Sequence, residues 1–78
     1  MHKDKNRHHD AAKILGKNIR KYRKAKNLSQ EELAFMLSSA RNYIGCIERA
    51  EKIPGFAFIL DIAHVLDCKL KDLAEGID

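Results

Sequence analysis

The chain of 78 residues has little of what most functional classes need. It has a single proline, Pro54, and no glycine-rich loop of the kind that cradles a phosphate. Its two cysteines, Cys46 and Cys68, are too few and too far apart for a zinc site, and they read as a reduced pair. The histidines offer no metal spacing: His2, His8 and His9 sit in a charged leader, and His64 stands alone. No apolar run approaches the ~18 residues that a membrane span needs, and the N-terminus is polar, so the chain reads as cytoplasmic, with no signal peptide. Ser/His/Asp and Cys/His groupings are missing, as are paired carboxylates with metal spacing. The expectation is therefore no enzyme, no cofactor and no metal. Nor is there a set of aromatics suited to stacking RNA bases.

What is present is charge and helical periodicity. Hydrophobic residues make up 45% and charged residues 33%, as in a soluble helical domain. The net charge of +4 is unevenly placed. Residues 1–26 hold ten Lys/Arg against Asp4 and Asp10, whereas residues 27–78 hold five against nine acids. That split favours a polyanionic partner approaching from one side. A chain this short buries only ~60% of its unfolded surface, so a partner subunit is expected to add burial.

Residues 1–9 are expected to be a disordered basic leader, residues 10–75 one domain, and residues 76–78 a tail. Asp10 is a suitable N-cap for a first helix whose stripe is Ala11, Leu15, Ile19 and Tyr22 and which fades near Lys26-Asn27. Ser29-Gln30-Glu31-Glu32 is a capping box opening a two-turn helix with Leu33, Ala34 and Leu37 inward. A third helix is expected over about Ala40 to Arg49, with Ile44 and Ile47 inward and Arg41, Asn42, Tyr43 and Cys46 available outward. Ile53-Pro54-Gly55 then breaks the chain. A fourth helix runs roughly from Phe56 to Leu66, and a last short one carries Leu70 and Leu73. The fold class is all-α, with five helices and no sheet.

Two short helices joined by three or four residues, with small Ala34 at their crossing, make a helix-turn-helix. LGKNIRKYRKAKNLSQEELA, RNYIGCIERAEKIP and ILDIAHVLDCKLKDL together resemble the phage-repressor (Cro/CI, XRE-like) helix-turn-helix family over residues 15–73. Arg41-x-Tyr43-Ile44-Gly45-x-Ile47-Glu48-Arg49 is especially similar to the controller proteins of restriction–modification systems. The resemblance implies a five-helix, lambda-repressor-like fold and a homodimer that binds double-stranded DNA at an inverted repeat and blocks or recruits RNA polymerase. It places Gln30 on a phosphate, and Ala40, Arg41 and Asn42 at the start of the recognition helix. There arginine can pair with guanine and asparagine with adenine. Tyr43 and Cys46 fall at groove-facing positions and Lys52 near a phosphate. Arg49 reads as paired with Glu51 or solvent instead of DNA. Glu48 is matched with Arg23 as a structural ion pair.

The family's departures here lie in the turns. Serines occupy 38 and 39 where it has glycine and an apolar residue, so either Ser38 takes the turn without glycine's freedom or the turn is altered, and Ser39 is expected to cap the third helix one residue earlier. Ala50 in place of glycine is expected to lengthen that helix by a residue. Ile59, Ile62, Ala63 and Leu66 match the monomer core, which leaves Phe58 and Val65 as the expected dimer contact, with Leu70 and Ile77 the alternative. A second functional class sharing this motif is an antitoxin that binds a toxin partner and regulates its own operon.

Overall fold

A computed structural model describes residues 2–78, with side chains from His8 onward. The helices are α1 (His2–Ala25), α2 (Gln30–Met36), α3 (Arg41–Glu48), α4 (Phe56–Val65) and α5 (Leu70–Leu73), with no strand among the described residues. α3 packs against both α2 and α1, and α5 against α1 and α4.

The break expected at Asp10 is absent: α1 runs through it from His2. No proline or glycine lies between His2 and Leu15. A capping residue favours a helix start but does not enforce one, so an unbroken run can continue through it. Met1 lies outside the described residues. The buried stripe of α1 is also rotated slightly from the expected one. Ala12, Leu15, Gly16, Ile19 and Arg23 are buried, while Ala11 and Tyr22 flank them half-exposed. Around this stripe gather Leu33 and Ala34 of α2, Ile44 and Ile47 of α3, Ile62 and Ala63 of α4, then Leu66 and Leu73. Ile59, expected in this core, packs against it half-buried.

Each of the five helices is followed by a residue in the left-handed region. These are Asn27 (φ 58°), Ser38 (φ 54°), Ala50 (φ 63°), Asp67 (φ 55°) and Gly76 (φ 94°). The first four share one hydrogen-bond scheme, in which two successive amides fold back onto the last turn. After α2, Ser38 N donates to Phe35 O at 3.1 Å and Ser39 N to Ala34 O at 2.8 Å. After α3, Ala50 N donates to Ile47 O at 3.1 Å and Glu51 N to Cys46 O at 2.8 Å. Such bonds satisfy carbonyls that a helix end leaves open, and they offset the strain of a Cβ in this region.

Two expectations about the turns are corrected by this scheme. Ala50 does not lengthen α3; it takes the left-handed position that glycine would otherwise hold, and the helix ends at Glu48 with Arg49 as its C-cap. Ser39 does not cap α3 either. The amide of Ser39 is committed to Ala34 O, and the N-cap is Ala40, with no side-chain bond. The capping box of α2 is present: Ser29 Oγ accepts from Glu32 N at 3.0 Å, and Ser29 N donates to Glu32 Oε1 at 2.8 Å.

Gly16 is what lets α1 and α3 approach. A Cβ there would stand 2.5 Å from Ile47 O and 2.8 Å from Glu48 O, inside any permitted contact with backbone. At the other end, Asn18 Nδ2 donates to Leu73 O at 2.8 Å and Glu75 O at 2.9 Å, tying the end of α5 to α1.

Candidate nucleic-acid interface

The outward face of α3 is set by what holds its inward face. Ile44 and Ile47 are each 1% exposed and anchor the helix in the core. Beside them, Glu48 points inward and meets Arg23 of α1. Arg23 Nε donates to Glu48 Oε2 at 2.7 Å and Nη2 to Oε1 at 2.9 Å, while Nη1 donates to Leu28 O at 2.8 Å. The side chains of this pair are 9% and 3% exposed. Gln30 Nε2 donates a further bond to Glu48 Oε1 at 3.0 Å. One carboxylate thus fastens α1, α2 and α3 together. Among the described residues no buried side-chain nitrogen or oxygen lacks a partner, so the charge does not stand uncompensated.

Arg41 and Asn42 occupy the first turn of α3 and are exposed, as is Ala40 before them. Tyr43 is half-buried, its ring centroid 5.4 Å from that of Phe58 on α4 at an interplanar angle of 53°. This contact braces the first turn of α3 against α4. Cys46 is half-exposed on the outward side. Gln30 stands at the start of α2, half-buried, with its amide nitrogen turned to Glu48, and Lys52 is exposed in the turn after α3. Arg49 pairs with Glu51: Nε donates to Oε2 at 2.9 Å and Nη2 to Oε1 at 3.2 Å. These bonds hold the Glu51 carboxyl below its ordinary range and the guanidinium above its own. Burial pushes the Cys68 thiol up, helped by Asp72 and Asp67, which suits its place against the core. Lys17, Arg20, Lys21 and Lys24 are exposed along α1.

Phe58 and Val65 are half-buried against the core of their own chain. The large apolar residues of α4 left uncovered are Phe56, 65% exposed, and Leu60, 42% exposed. At ~3.6 residues per turn these two lie on the opposite flank of α4 from Phe58 and Val65.

Two glycines that matter here were not singled out from the sequence. Gly16 sets the depth at which α3 sits, and Gly45 lies beneath the Arg49 guanidinium, where a Cβ would be 3.0 Å from Nη1. The available signal was a glycine inside an otherwise unbroken helical pattern, which usually has a packing reason.

The helix-turn-helix family profile matches residues 19–73. The chain belongs to the XRE-like helix-turn-helix family. It is a DNA-binding transcriptional regulator with the five-helix, lambda-repressor-like fold of that family. It is 38% identical over 64 residues to the control protein C.SmaI of Serratia marcescens, covering 82% of this chain and 76% of that one. Among solved structures, the restriction–modification controller protein C.AhdI of Aeromonas hydrophila superposes with a TM-score of 0.76 at 37% identity, covering 80% of this chain and 94% of that one. SinR, the master regulator for biofilm formation, solved in complex with DNA, gives a TM-score of 0.71 at 35% identity, covering 76% of this chain and 95% of that one. No helix among the described residues is long and apolar enough to cross a membrane.

Proposed function

We propose that the chain acts as a homodimer on an inverted-repeat operator, in the manner of a restriction–modification controller. The observation that carries this reading is the division of α3 into two faces. Its inner face is locked by the Arg23–Glu48–Gln30 network, and its outer first turn presents Arg41 and Asn42 to solvent. A rigid helix with an arginine and an asparagine free at its leading end suits paired recognition of guanine and adenine in a major groove. Tyr43 supports that turn from below and offers its exposed edge to the backbone or a thymine methyl. Cys46 lies one turn on. Gln30 and Lys52 flank the helix as phosphate partners, with Gln30 also serving the internal network. The exposed lysines and arginines of α1 add non-specific attraction.

The second copy covers the flank of α4 carrying Phe56 and Leu60. Large apolar side chains left this exposed on so small a domain support an isologous contact there. Phe58 and Val65 contribute at most their edges, because their own chain already covers them. Bound at a promoter, such a dimer blocks or recruits RNA polymerase according to where its site lies.

Selection of bound sequences from a random duplex pool tests the reading. The expected product is an inverted repeat with half-sites about one helical turn apart. Arg41→Ala should then cost ~1–3 kcal/mol on that duplex and relax preference at one base pair per half-site. Enrichment of no sequence, or equal loss on operator and random DNA, would remove the assignment.

A further inference from the structure

Arg49, the C-cap of α3, continues the helix's outward face and lies at its centre. At roughly 100° per residue, Arg41, Gly45, Arg49, Asn42 and Cys46 follow one another across an arc of about 140°, with Arg49 in the middle. It is exposed but not loose. Its Nε and Nη2 are taken by both oxygens of Glu51 at 2.9 and 3.2 Å. The same Nη2 lies 3.8 Å from Cys46 Sγ, a weak contact. Nη1 hangs over Gly45, at 3.0 Å from where a Cβ would be. The side edge of the guanidinium is thus closed by a carboxylate, while Nη1, at its end, makes no hydrogen bond among the described residues.

We propose that Arg49 is a DNA-contacting residue and that Glu51 is its positioning partner, with Gly45 as the gap over which the guanidinium lies. The proposal rests on the DNA-binding reading above. Pairing with Glu51 and touching DNA are not alternatives for this residue. A guanidinium has five donors in a rigid fork, so it can be gripped along one edge by an acid while the other meets an acceptor. Gripping removes rotamer freedom before binding, and that freedom is otherwise lost on the complex. The acceptor is either guanine O6/N7 or a phosphate oxygen, which present the same chemistry to the fork.

Charge makes the test decisive. If Glu51 were only an acid near DNA, its neutralisation would raise affinity for every duplex. If it positions Arg49, Glu51→Gln weakens operator binding although the protein becomes more positive. The measurement is titration of the selected operator and of a random duplex over a range of salt, with helical content and melting recorded for each variant. Arg49→Ala, Arg49→Lys and Glu51→Gln are each expected to lose about tenfold on the operator, lysine failing because it has no fork. Gly45→Ala is expected to lose likewise by displacing the guanidinium. If it also perturbs the fold, the surface change Glu51→Gln still decides the matter. Relaxed preference at one base pair per half-site assigns the contact to a base edge. Uniform loss with a shallower salt slope assigns it to phosphate. Glu51→Gln binding the operator as tightly as the unsubstituted chain, or more tightly, overturns the proposal. An unsubstituted chain that selects no duplex overturns the DNA reading beneath it.

Discussion

Consider removing either partner of the Arg23–Glu48 pair. Arg23→Ala deletes two charged hydrogen bonds to Glu48 and one to Leu28 O, and leaves a carboxylate 3% exposed with only Gln30 to donate to it. Glu48→Ala strands a guanidinium that is 9% exposed. Breaking a buried pair from one side costs about 3–5 kcal/mol. A folded chain of this size holds roughly 4–12 kcal/mol in all, at ~0.05–0.15 kcal/mol per residue. Either change therefore consumes a large share of the stability. Gln30→Ala deletes one bond and leaves the pair intact, so its cost is about 1–1.5 kcal/mol. Urea unfolding followed by far-ultraviolet circular dichroism measures all three, and the double variant completes a cycle. The double variant should cost less than the two single changes together, by well over the ~0.5 kcal/mol scatter of independent sites. If an alanine variant is unfolded outright, Glu48→Gln and Arg23→Lys supply a milder cycle of the same sign. Additive costs would refute the reasoning, because they would mean that neither side chain depends on the other.

Three further outcomes are expected. Ala50→Gly should stabilise by ~0.5–1 kcal/mol in urea unfolding, since it relieves a Cβ at φ 63° while the fold-back bonds stay in place; destabilisation would show the strain to be absent. Gly16→Ala should destabilise by about 1–3 kcal/mol or more, because the clash at 2.5 Å is with the backbone of α3 and not with a movable side chain; a neutral melting point would refute the close α1–α3 crossing. Leu60→Asp should convert the protein to monomer in sedimentation with its helical content kept, whereas Phe58→Asp, set against Tyr43 and the core, should lower the melting point as well; a Leu60→Asp protein still dimeric at micromolar concentration places the contact elsewhere.

The helices were legible because their signals are local. The capping box at Ser29, the apolar spacing of α3 and α4, and the Pro54-Gly55 break each act within one turn of chain. The absence of a boundary at Asp10 has the same local origin: a cap is a preference, and nothing upstream of it opposes a helix. The left-handed residues were only partly legible. Asn27 tolerates that region through its side chain and could be read directly. Ser38 and Ala50 carry no such signal, and Ala50 holds the conformation because two amides of the next residues bond back to α3. That is a property of the turn as a whole, not of alanine.

The candidate site divides along the same line. Arg41 and Asn42 were placed by their position in a motif, and their exposure needs nothing from the rest of the chain. Gln30, Arg49 and Phe58 have partners 18, 2 and 15 residues away, and only the packed structure shows how those partners spend their atoms. Gln30 gives one amide hydrogen to Glu48, so only its second N–H is left to donate to a phosphate. Arg49 commits one edge to Glu51 and keeps its end. Phe58 commits its ring to Tyr43, so part of its apolar face is spent within its own chain, beside the recognition helix. In each case the residue type was informative about chemistry, but the availability of that chemistry follows from which atoms the fold has already used. The rigidity of α3 thus has a functional consequence: with Glu48 locked inside and Tyr43 braced below, the arginines of the outer face can be aimed without the helix moving beneath them.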